Sequence, residues 1–231
     1  MIEAEYNEPM RYAIEGKEAT LYPARGLDRP LVILNSYSGD GSSVIAGIRE
    51  IREDVDINLL NIGNLEWFHD MTPWPSPPIS KHDVPCTGGA DAYIKLLTTK
   101  IISEAKRRVK GIPVHTCIAG YSLAGLFALY AAYQCDEFDL VASMSGSLWY
   151  PGFRDHVLSH PMRKNPERVY ISLGDAEART RNPVLKTVQE NTEAIVTHLE
   201  GQGMDITYEL NPGNHFRDED IRIAKGILTV L

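Results

Sequence analysis

Cysteine is scarce in this sequence: Cys86, Cys117 and Cys135 are the only three among 231 residues. An odd number without metal-type spacing excludes a disulfide framework and a structural zinc site, and reduced thiols are expected. Long hydrophobic runs are also missing. Every apolar stretch is broken well short of the roughly 20 residues that a bilayer requires, so no membrane span is expected. Basic residues are outnumbered, with 23 Lys and Arg against 31 Asp and Glu and a formal net charge of −8. Apart from the segment Lys106 to Lys110 no basic stripe offsets that charge, which argues against nucleic acid as a partner. Flexible Gly/Ser linkers and internal repeats are absent, so residues 1–231 are expected to form a single domain. The first ten residues carry Glu3, Glu5 and Glu8 and no basic patch followed by an apolar run. They do not resemble a secretory signal, and a cytoplasmic location is expected. Clustered Cys and His ligands do not occur, so no metal and no organic cofactor is implied.

What the sequence does contain is alternation. Short apolar runs at Leu31 to Leu34, Ile57 to Ile62, Ile112 to Ala119, Leu140 to Met144, Val169 to Leu173 and Ile206 to Leu210 read as strands. Between them, Val44, Ile45, Ile48 and Ile51 share one helical face, as do Val184, Leu185, Val188, Ile195, Val196 and Leu199. Strands that are apolar throughout and alternate with helices predict an α/β fold, a mostly parallel central sheet with helices on both faces. Glu18 to Pro23 is expected as an antiparallel edge strand. A final helix over Asp218 to Leu231 is expected to dock through Ile221, Ala224, Ile227 and Leu228. The irregular stretch Gly63 to Gly89 holds Pro73, Pro75, Pro77, Pro78 and Pro85, which argue against regular helix or sheet. With Trp67, Phe68 and Trp74 it is expected to be an ordered loop near the active site.

The most informative segment is Ile118-Ala119-Gly120-Tyr121-Ser122-Leu123-Ala124-Gly125, where an apolar strand meets the helix Leu123 to Tyr133. Small residues two before and two after Ser122 allow the sharp strand-to-helix turn that presents a nucleophilic hydroxyl at a helix N-terminus. In sheets of this kind the acid follows a later strand and the histidine follows the last one. His215, in Asn211-Pro212-Gly213-Asn214-His215-Phe216, fills the histidine slot; His69, His82, His115, His156, His160 and His198 fit it less well. Two carboxylates, Asp175 and Glu177, follow the strand before. Glu177 has the reach to orient His215, and Asp175 is the alternative. The N–H of Leu123 and that of Tyr37, in the loop after the first central strand, are the expected oxyanion donors. A phosphate-cradling reading of Ser38 to Ser43 lacks the Gly-Lys-Ser/Thr ending that such a loop needs.

Together, Gly120 to Gly125, Ser145-Gly146-Ser147-Leu148-Trp149-Tyr150, Gly174 to Glu177 and Gly213-Asn214-His215-Phe216 resemble the putative esterase family of α/β-hydrolases, which includes esterase D-like and enterochelin-esterase-like proteins. The resemblance implies an α/β-hydrolase fold and a serine esterase acting on a small-molecule carboxylic ester. Its acid commonly stands three residues after a glycine at a strand end, which points from Gly174 to Glu177. Two positions depart from the pattern: Ala124 replaces the second glycine of the pentapeptide, and Asn35-Ser36-Tyr37 stands where many relatives have His-Gly-Gly. Trp149, Tyr150, Trp67, Phe68 and Trp74 are the expected substrate contacts. Two other readings share these residues, an acyltransferase on the same machinery and a non-catalytic ligand-binding module.

Overall fold

A computed structural model describes residues 7–80 and 83–231; Glu3, Glu5 and His82 lie outside the described residues. The chain opens with a hairpin of β1 (Met10–Ile14) and β2 (Lys17–Tyr22), then continues through β3 (Leu31–Asn35), α1 (Ser42–Ile51) and β4 (Asn58–Gly63). The irregular stretch follows, holding α2 (Trp67–Asp70) and the two-stranded ribbon β5 (Pro75–Ser76) and β6 (Cys86–Thr87). Next come α3 (Ala90–Leu96), a π turn at Leu97–Ile101, α4 (Ile102–Arg108), β7 (Thr116–Tyr121), α5 (Leu123–Gln134), β8 (Leu140–Met144) and α6 (Phe153–Ser159). The last elements are β9 (Arg168–Gly174), α7 (Val188–Gly201), β10 (Ile206–Asn211) and α8 (Glu219–Val230).

The main sheet has eight strands in the order β1-β2-β4-β3-β7-β8-β9-β10. All pairings from β4 to β10 are parallel, and β1 and β2 join antiparallel at one side. Side chains alternate along each strand between two cores. Leu31, Ile33 and Ile118 face Tyr93, Leu97 and Phe127 of α3 to α5, while Val32, Leu34 and Ala119 face Ile45 and Ile48 of α1 and Ile227 of α8. Strands buried on both sides explain the unbroken apolar runs in the sequence.

Several expectations need correction. The antiparallel strand near Glu18 is interior, because β1 pairs outside it through a turn at Glu15 and Gly16, both at positive φ. The strand expected from Ile112 begins only at Thr116; Pro113 has no N–H to give a ladder, and Ile112 and Val114 are exposed. On α8, Ala224, Ile227 and Leu228 are buried as expected, but Ile221 is exposed and Ile223 is buried instead. The helical segment Ala90 to Arg108 and α6 are further elements beyond those expected. The proline-rich stretch does contain regular structure, one helical turn and a ribbon of two residues per strand. It is tied down by a buried ion pair between Lys17 and Asp70 at 2.6 Å and by Trp74 Nε1 donating to the Pro151 carbonyl at 2.9 Å. Among the described residues no helix is long and apolar enough to cross a membrane.

Candidate active site

Ser122 sits between the end of β7 and the start of α5 with φ 60° and ψ −123°, a conformation that costs an ordinary residue about 1–3 kcal/mol. The surroundings impose it. Its N–H donates to the Met144 carbonyl at 3.1 Å, and its own carbonyl accepts the N–H groups of Gly125, Leu126 and Ser147. A Cβ on Gly120 would stand 2.2 Å from the Ala124 carbonyl oxygen, and one on Gly125 would stand 2.9 Å from Gly146 Cα. Glycine at these two positions is therefore the condition for strand and helix to cross. Leu123 opens α5, so its N–H has no acceptor within the helix and lies beside Ser122.

The loop after β10 carries His215 back over this turn. His215 Nε2 lies 3.0 Å from Ser122 Oγ, and His215 Nδ1 lies 2.7 Å from Glu177 Oε2. Glu177 is buried, and its other oxygen accepts the Gly174 N–H at 2.7 Å. Burial pushes the Glu177 carboxyl up, yet the His215 hydrogen bond and charge, the Ser145 hydroxyl and the Gly174 N–H together hold it below its ordinary value. Asp175 occupies a different place: its Oδ1 accepts the Gly213 N–H at 2.9 Å.

Tyr37 lies in the loop after β3, largely exposed, its ring edge-on to Trp67 with centroids 5.2 Å apart. Asn61 of β4 shapes that loop by accepting from the Ser36 hydroxyl and donating to the Gly39 carbonyl. Two cavities meet at Ser122 and His215. One, of about 320 Å³, is lined by Asn35, Tyr37 and Glu219, and the other, of about 450 Å³, by Trp149, Leu185, Val188 and Arg179. Trp67 and Phe68 line both.

Tyr150 and Trp74 stand away from these cavities, contrary to the expected substrate contacts. Tyr150 is buried and donates its hydroxyl to the Trp74 carbonyl, and Trp74 packs against Tyr130, Tyr150 and His156. The physical reason is that the two rings pack against each other, and Trp74 also against Tyr130 and His156, so their apolar faces are used inside the fold. Among the described residues no group of three or more His, Cys, Asp or Glu side chains could hold a metal ion.

Sequence reasoning missed three groups around the histidine. The Tyr121 hydroxyl donates to the His215 carbonyl at 2.7 Å, Ser147 Oγ lies 3.5 Å from Ser122 Oγ, and the Arg222 guanidinium lies 3.6 Å from Glu177. A signal for Arg222 did exist in the sequence: a basic residue directly before the apolar stripe of the last helix.

The family described as "Putative esterase" matches residues 62–218. The Bacillus subtilis (strain 168) protein YbbA, described as uncharacterized, is 24% identical over 177 residues, which span 72% of this chain and 71% of that protein. An IroE-like serine hydrolase from Shewanella oneidensis superposes with a TM-score of 0.78 at 15% identity, covering 96% of this chain and 79% of that one. An enterobactin hydrolase, IroE, in complex with DFP gives 0.74 at 17% identity, over 97% and 95% of the two chains. The siderophore hydrolase EstA from Aspergillus nidulans gives 0.72 at 18% identity, over 96% and 93%. At these identities the structural likeness establishes the α/β fold.

Proposed function

Because the chain belongs to the putative esterase family and is a carboxylic ester hydrolase, we propose that it cleaves a small-molecule ester through an acyl intermediate on Ser122. The observation that carries this reading is the unbroken line of short contacts from Glu177 through His215 to Ser122, at 2.7 and 3.0 Å. In the proposed reaction His215 Nε2 takes the Ser122 proton as Oγ attacks the ester carbonyl. Glu177 holds the ring in the tautomer whose Nε2 is free to accept, and its negative charge stabilises the imidazolium that forms. The N–H groups of Leu123 and Tyr37 receive the oxyanion. His215 then returns the proton to the leaving alcohol, and water, activated by the same imidazole, releases the acid.

The two cavities on either side of Ser122 would take the two arms of the ester, with Trp67, Phe68 and Trp149 as apolar walls. Structural relatives named as siderophore and enterobactin hydrolases support siderophore esters as the first natural substrates to try.

The test is hydrolysis of a short-chain p-nitrophenyl ester by the wild type and by folded Ser122→Ala, with labelling by a fluorophosphonate. A loss of about 10³-fold or more, together with labelling of Ser122 in the wild type alone, is the expected result. Undiminished hydrolysis by Ser122→Ala would overturn the reading.

A further inference from the structure

Arg222 is a charged residue in an apolar place. It stands on α8 beside the stripe Ile223, Ala224, Ile227 and Leu228 and is 3% exposed. A guanidinium cannot shed its charge, so burying it carries a desolvation cost that apolar side chains at the same position would avoid. α8 already has an apolar face to dock with, so the reason for the charge lies in what it touches.

Its contacts converge on the histidine loop and the acid. Nη2 donates to the Pro212 carbonyl at 2.9 Å. Nη1 shares its hydrogens among the Asn214 carbonyl at 3.2 Å, the Tyr121 hydroxyl at 3.2 Å and Ser145 Oγ at 3.3 Å. The Tyr121 hydroxyl passes its own hydrogen to the His215 carbonyl at 2.7 Å. One side chain thus holds the backbone just before His215 directly and the carbonyl of His215 through one intermediary. Glu177 Oε1, at 3.6 Å, is beyond hydrogen-bond length, so the guanidinium acts on it by charge alone. Room for this meeting is made by Gly174: a Cβ there would stand 2.4 Å from the Gly213 carbonyl, 3.0 Å from Glu177 Oε1 and 3.1 Å from Arg222 Nη1.

We propose that Arg222 is a positioning residue that fixes the His215 loop against Ser122, a role that rests on the Ser122, His215 and Glu177 reading above. The partners come from the end of β7, the turn after β8, the acid loop and the histidine loop, the segments that also supply the two short contacts of His215. A helix-docking residue would not need its donors spent on carbonyls two positions apart in one catalytic loop.

The experiment compares kcat and KM for a p-nitrophenyl ester, with melting temperatures, in Arg222→Met, Arg222→Lys, Ile227→Ala and Ser122→Ala. Arg222→Met is expected to lower kcat about 30-fold with KM within about threefold, since general acid–base catalysis depends on the imidazole being held in place. Arg222→Lys is expected to restore part of that kcat. Ile227→Ala, which loosens α8 while removing none of the network's hydrogen bonds, is expected to lower the melting temperature and leave kcat within about twofold. If Arg222→Met retains kcat within about threefold, or loses no more than Ile227→Ala does, the proposal is wrong. Should Arg222→Met fail to fold, Tyr121→Phe carries the test: kcat about fivefold lower at constant KM supports the relay, and unchanged kcat overturns it. A Ser122→Ala variant that still turns over removes the underlying triad reading, whereas an inactive Ser122→Ala beside a fully active Arg222→Met overturns the positioning role alone.

Discussion

Asp175 grips the backbone of Gly213, its Oδ1 accepting that N–H at 2.9 Å, so the first carboxylate after β9 holds the histidine loop while the second, Glu177, meets the histidine itself. The two acids are two residues apart and do different work. Glu177→Gln is expected to lower kcat by about 10³- to 10⁴-fold, because an amide favours the wrong imidazole tautomer and cannot stabilise the imidazolium. Asp175→Asn is expected to cost no more than about tenfold, since the amide oxygen still accepts from Gly213. Steady-state kinetics of the two variants decides between them, and the reverse ranking would transfer the acid role to Asp175.

The lowered carboxyl of Glu177 ties stability to pH. Its folded form binds a proton less readily than its unfolded form, whose ordinary value is 4.5. The stabilisation is therefore present above that value and is lost as pH falls through the lower folded one. Urea midpoints of the wild type are expected to drop relative to those of Glu177→Gln as the pH is taken from 6 towards 3. Parallel midpoints across that range would mean that Glu177 contributes no such linkage.

At the crossing of β7 and α5, Gly120→Ala would place a methyl 2.2 Å from the backbone oxygen of Ala124, which cannot swing aside as a side chain could. A loss of about 3 kcal/mol in unfolding free energy is expected. A variant within about 0.5 kcal/mol of the wild type would show that the turn can open, and the strain assigned to Ser122 would need revision.

The aromatic residues separate into two groups with opposite signatures. Trp67→Ala removes a wall common to both cavities and is expected to raise KM about tenfold for an ester with a bulky arm, with a smaller change for an acetyl ester. Tyr150→Phe removes the hydroxyl given to the Trp74 carbonyl and is expected to cost about 1 kcal/mol of stability with KM unchanged. Kinetics with esters of graded size and urea denaturation of both variants would expose any exchange of these roles.

Much of the molecule is legible in one dimension, for local reasons. Apolar runs such as Leu140 to Met144 mark strands buried on both faces, and the spacing of Val44, Ile45 and Ile48 marks a helix lying on them. Gly120, Ser122 and Ala124 announce a sharp turn because only small residues let the strand and helix cross, and chain order points to His215 and to the carboxylates after β9. The tertiary structure decided what depends on contacts between distant segments. Asp175 and Glu177 are both within reach of His215 in sequence terms, and only the fold of the loops gives one to Gly213 and the other to the imidazole. Trp67 and Trp74 belong to one irregular stretch, yet packing against Tyr130 and His156 draws Trp74 away from the cavities that Trp67 lines. Arg222 is marked locally only as a basic residue before the apolar stripe of the last helix, which does not announce its role. A buried charge acquires its meaning from partners on other elements, which meet it only when the sheet and its last helix have come together.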